Sequence, residues 1–189
     1  MPENFQKTET ASRLVAALSV STMIELYLIR HGLAGESGTY THDDERPLTE
    51  DGKKKTRLVA KRLISLGLQF DLILTSPLVR AKQTADILVD AGLSAHLQQV
   101  DYLASGTITP WLDWLADWQP KESSNQERLA LVGHEPSLST WAELLAWGEV
   151  KGAVELKKAG VIGLSLPETG SPIGRSTLFW LTPPRFLLG

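Results

Sequence analysis

The stretch Ile24-Glu25-Leu26-Tyr27-Leu28-Ile29-Arg30-His31-Gly32-Leu33-Ala34 decides the fold, because a buried strand ends within it at a cation and an imidazole. The mainly apolar run 24–29 is typical of a strand in a sheet interior. Arg30 and His31 then stand at the carboxyl end of that strand, where open α/β sheets bind their ligands. An arginine beside a histidine at this place indicates an anionic ligand, and we expect a phosphoryl group.

Segments typical of strands and helices alternate along the rest of the chain. Further strands are predicted at 70–75, 95–100, 128–133, 154–156, 160–166 and 176–181. Helices are predicted to follow the N-cap Thr49, the pair Ser76-Pro77 with Ser76 as the cap, the pair Thr109-Pro110, and Pro136 or Ser137. This alternation predicts an α/β fold of three layers, with a mostly parallel central sheet and helices on both faces.

The composition fits one globular domain and excludes several classes of protein. The chain has 189 residues, of which 42% are hydrophobic, and a formal net charge of −3, which argues against a nucleic-acid partner. No apolar run approaches the roughly 18 residues that span a bilayer, so no membrane association is expected. The absence of cysteine excludes disulfides, thiolate metal sites and thiol nucleophiles, and it is compatible with the cytoplasm, where we expect the protein to act.

Residues 1–22 form a separate segment in this interpretation. They are polar except for the short run 14–18, and we predict a disordered or weakly helical extension without a role in the chemistry. Met23 opens the first strand directly, so a translation start at Met23 is an alternative. The domain itself is predicted to span 23–189.

Side chains of the same kind follow three of the predicted strands. Arg30 and His31 follow the first, Arg80 lies in the first turn of the helix after the second, and His134 follows the strand at 128–133. Because the carboxyl ends of parallel strands meet at one edge of a sheet, we expect these four side chains to converge.

The four side chains suit the transfer of a phosphoryl group. Guanidinium groups match the phosphoryl oxygens with paired hydrogen bonds, and the free amides of a helix N-terminus near Arg80 also favour an anion. A neutral imidazole such as that of His31 is a competent nucleophile near neutral pH. Two arginines and a second histidine can neutralise the phosphoryl charge, so we expect neither a metal ion nor another cofactor.

Four motifs, in this order, resemble those of the histidine phosphatase superfamily. They are Arg30-His31-Gly32, Arg46-Pro47-Leu48-Thr49-x-x-Gly52, Ser76-Pro77-Leu78-Val79-Arg80-Ala81-x-Gln83-Thr84-Ala85 and Val132-Gly133-His134-Glu135-Pro136. The resemblance implies that His31 is transiently phosphorylated and that Arg30, Gly32, Arg80 and His134 bind the phosphoryl group. Within the superfamily, the run Asp43-x-x-Arg46-Pro47-Leu48-Thr49 and the short chain are most similar to SixA-type phosphohistidine phosphatases, which implies a metal-independent enzyme.

Members of the superfamily that act on phosphate esters usually carry an acidic residue just after the third strand. The corresponding segment here, 101–107, has no carboxylate at the expected place. An alkoxide leaving group needs a positioned acid, whereas the imidazole of a phosphohistidine can take its proton from solvent. We therefore expect a phosphohistidine-bearing protein as substrate, with Asp101, Asp43 and Glu135 as the possible acids if this placement is displaced by a few residues.

Two other functions stay open at this point. One is a small-molecule phosphomonoesterase or mutase of the same superfamily, and the other is a non-catalytic phosphate-binding module, which would not need His31. The basic cluster at 53–62 is interpreted as a solvated helix surface, with a docking patch for an acidic partner as the alternative. The sequence identifies neither the phosphorylated partner nor the oligomeric state.

Overall fold

Six strands form one central sheet in the computed structural model, which describes residues 23–118 and 126–188. In chain order the strands are β1 (Met23–Arg30), β2 (Leu72–Thr75), β3 (Leu97–Gln99), β4 (Gln126–Gly133), β5 (Val161–Ser165) and β6 (Thr177–Thr182). Across the sheet the order is β3-β2-β4-β1-β5-β6. The predicted extension at 1–22 lies outside the described residues.

The sheet is mostly parallel, as the alternation of strands and helices predicted. Strands β3, β2, β4 and β1 all run in the same direction, while β5 pairs antiparallel with β1, and β6 antiparallel with β5. Within the central pair, Arg30 of β1 lies opposite Gly133 of β4. The residues that follow these two positions therefore emerge side by side at the carboxyl edge of the parallel strands.

Different helices cover the two faces of the sheet, which confirms the three-layer prediction. In chain order they are α1 (Glu50–Ser65), α2 (Val79–Asp90), α3 (Tyr102–Ser105), α4 (Thr109–Asp117) and α5 (Ser137–Trp147), and the short 3-10 helices are Asp43–Glu45 and Pro184–Phe186. Helices α1 and α2 pack on one face and α3, α4 and α5 on the other. None of these helices, within the described part of the chain, is long and apolar enough to cross a membrane.

Strand β1 has apolar side chains on both faces of the sheet, so both faces must be covered by helices. Tyr27 and Ile29 pack into the core beneath α1 and α2, whereas Leu26 and Leu28 pack into the core beneath the other three helices. Successive side chains of a strand point to opposite faces, so an almost continuously apolar strand must be buried on both. The sequence of β1 therefore fixes its central place, and with it the place of Arg30.

The predicted N-cap at Ser76 is wrong. Helix α2 begins at Val79 with Leu78 as its N-cap residue. The Ser76 hydroxyl lies in the preceding loop, where it accepts a hydrogen bond from the Leu78 backbone N–H at 3.3 Å and contacts Nε2 of His134 at 2.8 Å. The side chain expected to cap the helix instead forms a hydrogen bond with His134, one of the two histidines described below.

The predicted strand at 154–156 is also wrong, since these residues pair with no neighbouring strand. The carboxylate of Glu143 in α5 accepts the backbone N–H groups of residues 151–154 at 2.5–2.8 Å. These bonds bend the chain around one buried side chain and occupy the amide of Val154, the first residue of the predicted strand. The Leu156 carbonyl then accepts a hydrogen bond from Arg30 Nη1 at 2.8 Å.

Candidate active site

Two histidines lie next to each other at the carboxyl edge of the sheet. Because Arg30 is paired with Gly133, the next residues, His31 and His134, leave neighbouring strands at the same level. Their ring centroids are 5.2 Å apart, and both side chains are largely buried. The convergence predicted from the sheet topology is thus present for these two residues.

Backbone hydrogen bonds hold the turn at His31 from several directions. The His31 N–H donates to the Gly133 carbonyl at 3.0 Å, and the Ala159 N–H donates to the carbonyls of both Arg30 and His31 at 3.1 Å. The Gly32 N–H donates to Oγ1 of Thr84 in α2 at 3.0 Å. The imidazole is therefore attached to a fixed backbone that bridges two strands and a helix.

Residue 32 has to be glycine because the turn packs directly against helix α1. A Cβ at Gly32 would overlap the side-chain oxygen of Thr56, which is held by its own hydrogen bond to the Gly52 carbonyl at 2.8 Å. Any larger residue would push the turn away from α1. Gly32 of the Arg-His-Gly motif therefore allows the backbone next to His31 to pack against α1.

The protonation state of His31 follows from its neighbours. Its Nδ1 lies 2.7 Å from the Gly32 carbonyl oxygen, which can only accept, so we assign the proton to Nδ1 and leave a lone pair on Nε2. Burial, with smaller contributions from His134, Arg80 and Arg30, lowers the pKa of His31 to about 3, against the opposing effect of the Gly32 hydrogen bond. The ring is therefore neutral at physiological pH, with the lone pair of Nε2 available.

His134 is also neutral and presents a nitrogen without a partner. Burial, together with Arg80 and Arg30, lowers its pKa to about 4. Its Nε2 contacts the Ser76 hydroxyl, whose hydrogen has no other acceptor among the described residues, so we assign that hydrogen to the bond with Nε2. Nδ1 then carries the ring hydrogen, and it has no hydrogen-bond partner among the described residues.

The two predicted arginines lie in the same cavity and each keeps an unused donor. Besides its bond to the Leu156 carbonyl, Arg30 has a buried Nε without a partner in the described chain. Arg80 donates from Nη1 to the Asp43 carbonyl at 2.7 Å, and its Nη2 lies 3.2 Å from the Asp43 carboxylate, while its Nε is likewise buried and unpartnered. Both guanidinium groups line the cavity, so these donors are candidates to bind an anion there.

The four predicted side chains therefore line one cavity of about 520 Å³. The same cavity contains two cations that were not predicted as site residues, Arg46 and Lys158. Arg46 donates to the Gly35 carbonyl at 3.0 Å and to the Asp43 carboxylate at 2.9 Å. The Arg-Pro-Leu-Thr motif is the sequence signal that could have assigned it.

Lys158 had no comparable signal, because it precedes β5 in a segment without a recognised motif. Lys158 lines the cavity. The residue after it, Ala159, has φ 59°, and its N–H donates to the carbonyls of Arg30 and His31, so the chain at Lys158 is tied to the turn that carries His31. Burial, together with Arg30, Arg46 and Arg80, lowers the pKa of Lys158. A side chain with this environment favours a nearby anion.

The three possible acids occupy different environments. Asp101 is exposed and does not line the cavity. Asp43 binds Arg46 and Arg80, and its hydrogen bond with Arg46 contributes most to lowering its pKa, so it is held as an anion and does not suit the role of an acid. Glu135 lines the cavity, and burial raises the pKa of its carboxyl group despite the opposing effect of Arg30.

The described residues offer no cluster of metal ligands. Within 23–118 and 126–188, no group of three or more histidine, aspartate or glutamate side chains is placed to hold a metal ion. The cavity is instead lined by Arg30, Arg46, Arg80 and Lys158 around the two neutral histidines. Such an arrangement is suited to binding a tetrahedral oxyanion beside an imidazole nitrogen.

Comparisons with known proteins show what the chain is similar to. Residues 26–104 match the family model of the histidine phosphatase superfamily, branch 1. An uncharacterized protein of Picosynechococcus sp. is 46% identical over 169 residues, which cover 87% of this chain and 99% of that protein. The mitochondrial serine/threonine-protein phosphatase Pgam5 of Drosophila melanogaster is 32% identical over 108 residues, which cover 52% of this chain but only 34% of Pgam5.

Solved structures show the same fold. The protein histidine phosphatase SixA, complexed with tungstate, matches with a TM-score of 0.73 at 24% identity, over 86% of this chain and 99% of SixA. The phosphoglycerate mutase of Bacillus anthracis matches with a TM-score of 0.61 at 15% identity, over 88% of this chain and 96% of the mutase. With its ordered motifs, its SixA-like fold and its paired histidines, the chain belongs to the histidine phosphatase superfamily.

Proposed function

We propose that this protein removes the phosphoryl group from phosphohistidine on a partner protein, through a phosphorylated His31. Membership of the histidine phosphatase superfamily supports a phosphatase. The observation that carries this proposal is the composition of the cavity. It holds a neutral imidazole and several cations, its carboxylates are those of Glu36 and Glu135, and segment 101–107 contributes none.

In the first step, His31 Nε2 attacks the phosphorus atom while the nitrogen–phosphorus bond of the substrate breaks. The N–H groups of Arg30 Nε, Arg80 Nε and His134 Nδ1 have no partner among the described residues and are the natural donors to the three phosphoryl oxygens. The hydrogen bond from His31 Nδ1–H to the Gly32 carbonyl stabilises the positive charge that develops on the phosphorylated ring. The departing imidazole takes up a proton from solvent.

In the second step, water attacks the phosphorus of phospho-His31 and the bond to Nε2 breaks. His31 leaves as the neutral ring with its proton still on Nδ1, so the residue returns to its starting state without a separate base for the ring. The attacking water loses its proton to the phosphate product or to solvent. The same donors can hold the phosphoryl oxygens in both steps because neither step moves the phosphorus far.

The nature of the leaving group decides between phosphohistidine and an ester. An alkoxide is strongly basic, and a positioned acid accelerates its departure by roughly 10²–10⁴-fold. An imidazole is a much weaker base and leaves without such help. A cavity in which the segment after β3 supplies no acid is therefore better suited to breaking a nitrogen–phosphorus bond.

One observation favours a second candidate, a small-molecule phosphomonoesterase of the same superfamily. Glu135 lines the cavity, and burial raises the pKa of its carboxyl group, as is required of a general acid near neutral pH. If the substrate is an ester, Glu135 is the residue expected to protonate the leaving oxygen.

Turnover of three substrates distinguishes the candidates: a phosphohistidine-bearing protein, p-nitrophenyl phosphate and 3-phosphoglycerate. We expect the highest kcat/KM for the phosphohistidine protein, and only a small change in that value in the Glu135→Gln variant. Faster turnover of 3-phosphoglycerate, together with its loss in Glu135→Gln, would establish the esterase instead. The His31→Ala variant should lose all turnover, and turnover that survives in it would contradict both.

A further inference from the structure

A second groove opens beside the catalytic cavity and continues from it. It has a volume of about 400 Å³, and it shares Arg30, Leu33 and Lys158 with the cavity that contains His31. A chain segment attached to a phosphohistidine in the cavity would therefore lie within reach of this groove.

The groove combines an apolar floor with a basic margin. Leu33, Ala159 and Pro184 supply apolar surface, while its cations are Lys55 of α1 and the adjacent pair Lys157 and Lys158, besides Arg30. Glu155 is the one carboxylate among its lining residues. This surface is complementary to a segment with apolar side chains and several carboxylates.

The lysines remain available to such a segment. Lys55 pairs with Asp51 at 2.7 Å and Lys157 pairs with Glu155, but all four side chains are half or more exposed, and exposed pairs of this kind contribute little. Lys158 has no carboxylate within 4 Å among the described residues, and burial lowers its pKa. An incoming carboxylate would meet cations that are weakly paired or not paired at all.

One lysine of the basic cluster at 53–62 lines this groove, whereas another on the same helix does not. Lys55 belongs to the run of basic residues on α1, most of which project from that helix into solvent, yet Lys55 lines a groove joined to the active site. Lys61 lies on the same helix, is exposed, and lines neither the groove nor the cavity. Only part of the cluster is thus placed to contact a substrate.

We infer that the groove lined by Leu33, Lys55, Lys157, Lys158 and Pro184 binds an acidic polypeptide segment of the phosphorylated partner, next to its phosphohistidine. The inference rests on the function proposed above and adds the character of the partner. Acidic residues beside the phosphohistidine would strengthen binding and steer encounter, whereas the reacting groups would be unaffected.

The test uses the Lys55→Glu/Lys157→Glu double variant, with Lys61→Glu as the matched control on α1. Two phosphohistidine peptides serve as substrates, one flanked by Asp and Glu and one flanked by Ser and Gly, together with p-nitrophenyl phosphate. We expect the wild-type protein to prefer the acidic peptide by about tenfold in kcat/KM, and this preference to shrink at high salt. The double variant should lose the preference but hydrolyse p-nitrophenyl phosphate normally, and Lys61→Glu should resemble the wild type.

A binding measurement separates failure of this inference from failure of the proposed function. The acidic peptide without its phosphoryl group, labelled with a fluorophore, is titrated with each protein and followed by anisotropy. Weaker binding to the double variant than to Lys61→Glu supports the groove even if no phosphohistidine is hydrolysed. Equal binding to all three proteins, or no preference between the two peptides in the wild type, overturns the inference.

Discussion

The imidazole rings of His31 and His134 lie with their centroids 5.2 Å apart and their planes tilted by 51°. This arrangement follows from one register pair, Arg30 opposite Gly133, which brings the two following residues to the same edge of the sheet. The two rings have different assignments: His31 has a free lone pair on Nε2, whereas His134 has a free N–H on Nδ1. One can attack a phosphorus atom while the other donates to a phosphoryl oxygen.

Replacing His134 removes one of the proposed donors to the phosphoryl group but leaves the proposed nucleophile, His31, in place. We expect His134→Ala to lower kcat roughly 10²–10³-fold, the loss typical of a single preorganised donor. Steady-state kinetics with a phosphohistidine protein would measure this. His42→Ala is the control, since His42 is exposed and does not line the cavity, and it should be unaffected. Full activity in His134→Ala would contradict the assigned role.

Asp43 is expected to position two arginines. Its carboxylate contacts Arg46 at 2.9 Å and Arg80 at 3.2 Å. Loss of these ionic contacts in Asp43→Asn should lower kcat/KM roughly ten- to hundredfold for every substrate, because both guanidinium groups become less ordered. If Asp43 were instead a general acid, the loss would be confined to phosphate esters, with phosphohistidine turnover unchanged. Parallel assays of the two substrate types distinguish these outcomes.

Both site histidines should stay neutral well below the usual pKa of histidine. Their pKa values are lowered to about 3 and about 4, mainly by burial. Between the unfolded value of about 6.5 and these folded values the unfolded chain binds protons that the folded chain does not, so stability should fall as the pH falls through this window. NMR titration of the imidazole resonances, assigned with His31→Asn and His134→Asn, would test it. Titration of either ring near pH 6.5 would show that the prediction fails.

Gly52 is expected to be intolerant of any side chain. It lies in the first turn of α1, where its N–H donates to the N-cap Thr49 at 2.9 Å, and a Cβ there would overlap the Leu33 carbonyl oxygen. Gly52→Ala should therefore destabilise the protein by about 2 kcal/mol, in spite of the better helix propensity of alanine. Urea unfolding measures the change.

A matched variant separates this clash from a general effect of replacing glycine. Gly67→Ala introduces a Cβ into open space at φ 77°, so only the backbone conformation is penalised, by about 1 kcal/mol. Activity should fall in Gly52→Ala, because Leu33 lines the cavity, and should be retained in Gly67→Ala. Equal effects of the two substitutions would argue against the clash at Leu33.

The sequence predicts the main helices and strands of this fold well, because the residues that specify them lie close together in the chain. Thr49 caps α1 as expected, its hydroxyl accepting the Gly52 N–H, and the apolar run of β1 is buried on both faces. The convergence of His31 and His134 was predictable from parallel topology alone. Arg30 and Arg80 follow from the same argument, since both emerge near that edge.

The errors arise where a long-range contact outweighs a local signal. Ser76 precedes a proline, as many N-caps do, but its hydroxyl bonds to His134, which is 58 residues away in the chain. Residues 154–156 have the composition of a strand, but Glu143 takes the preceding amides. Lys158 lines the cavity and precedes Ala159, which has a positive φ. No spacing of residue types indicates this backbone conformation.

Direct detection of a phosphorylated His31 tests the central claim. The protein is mixed rapidly with a phosphohistidine substrate, quenched in alkaline denaturant to preserve the nitrogen–phosphorus bond, and analysed by peptide mass spectrometry. We predict a phosphoryl group on His31 in the wild type that accumulates and decays within the time of turnover, and none in His31→Ala. Hydrolysis at the normal rate in His31→Ala, or a phosphoryl group on another residue of the wild type, would contradict the account.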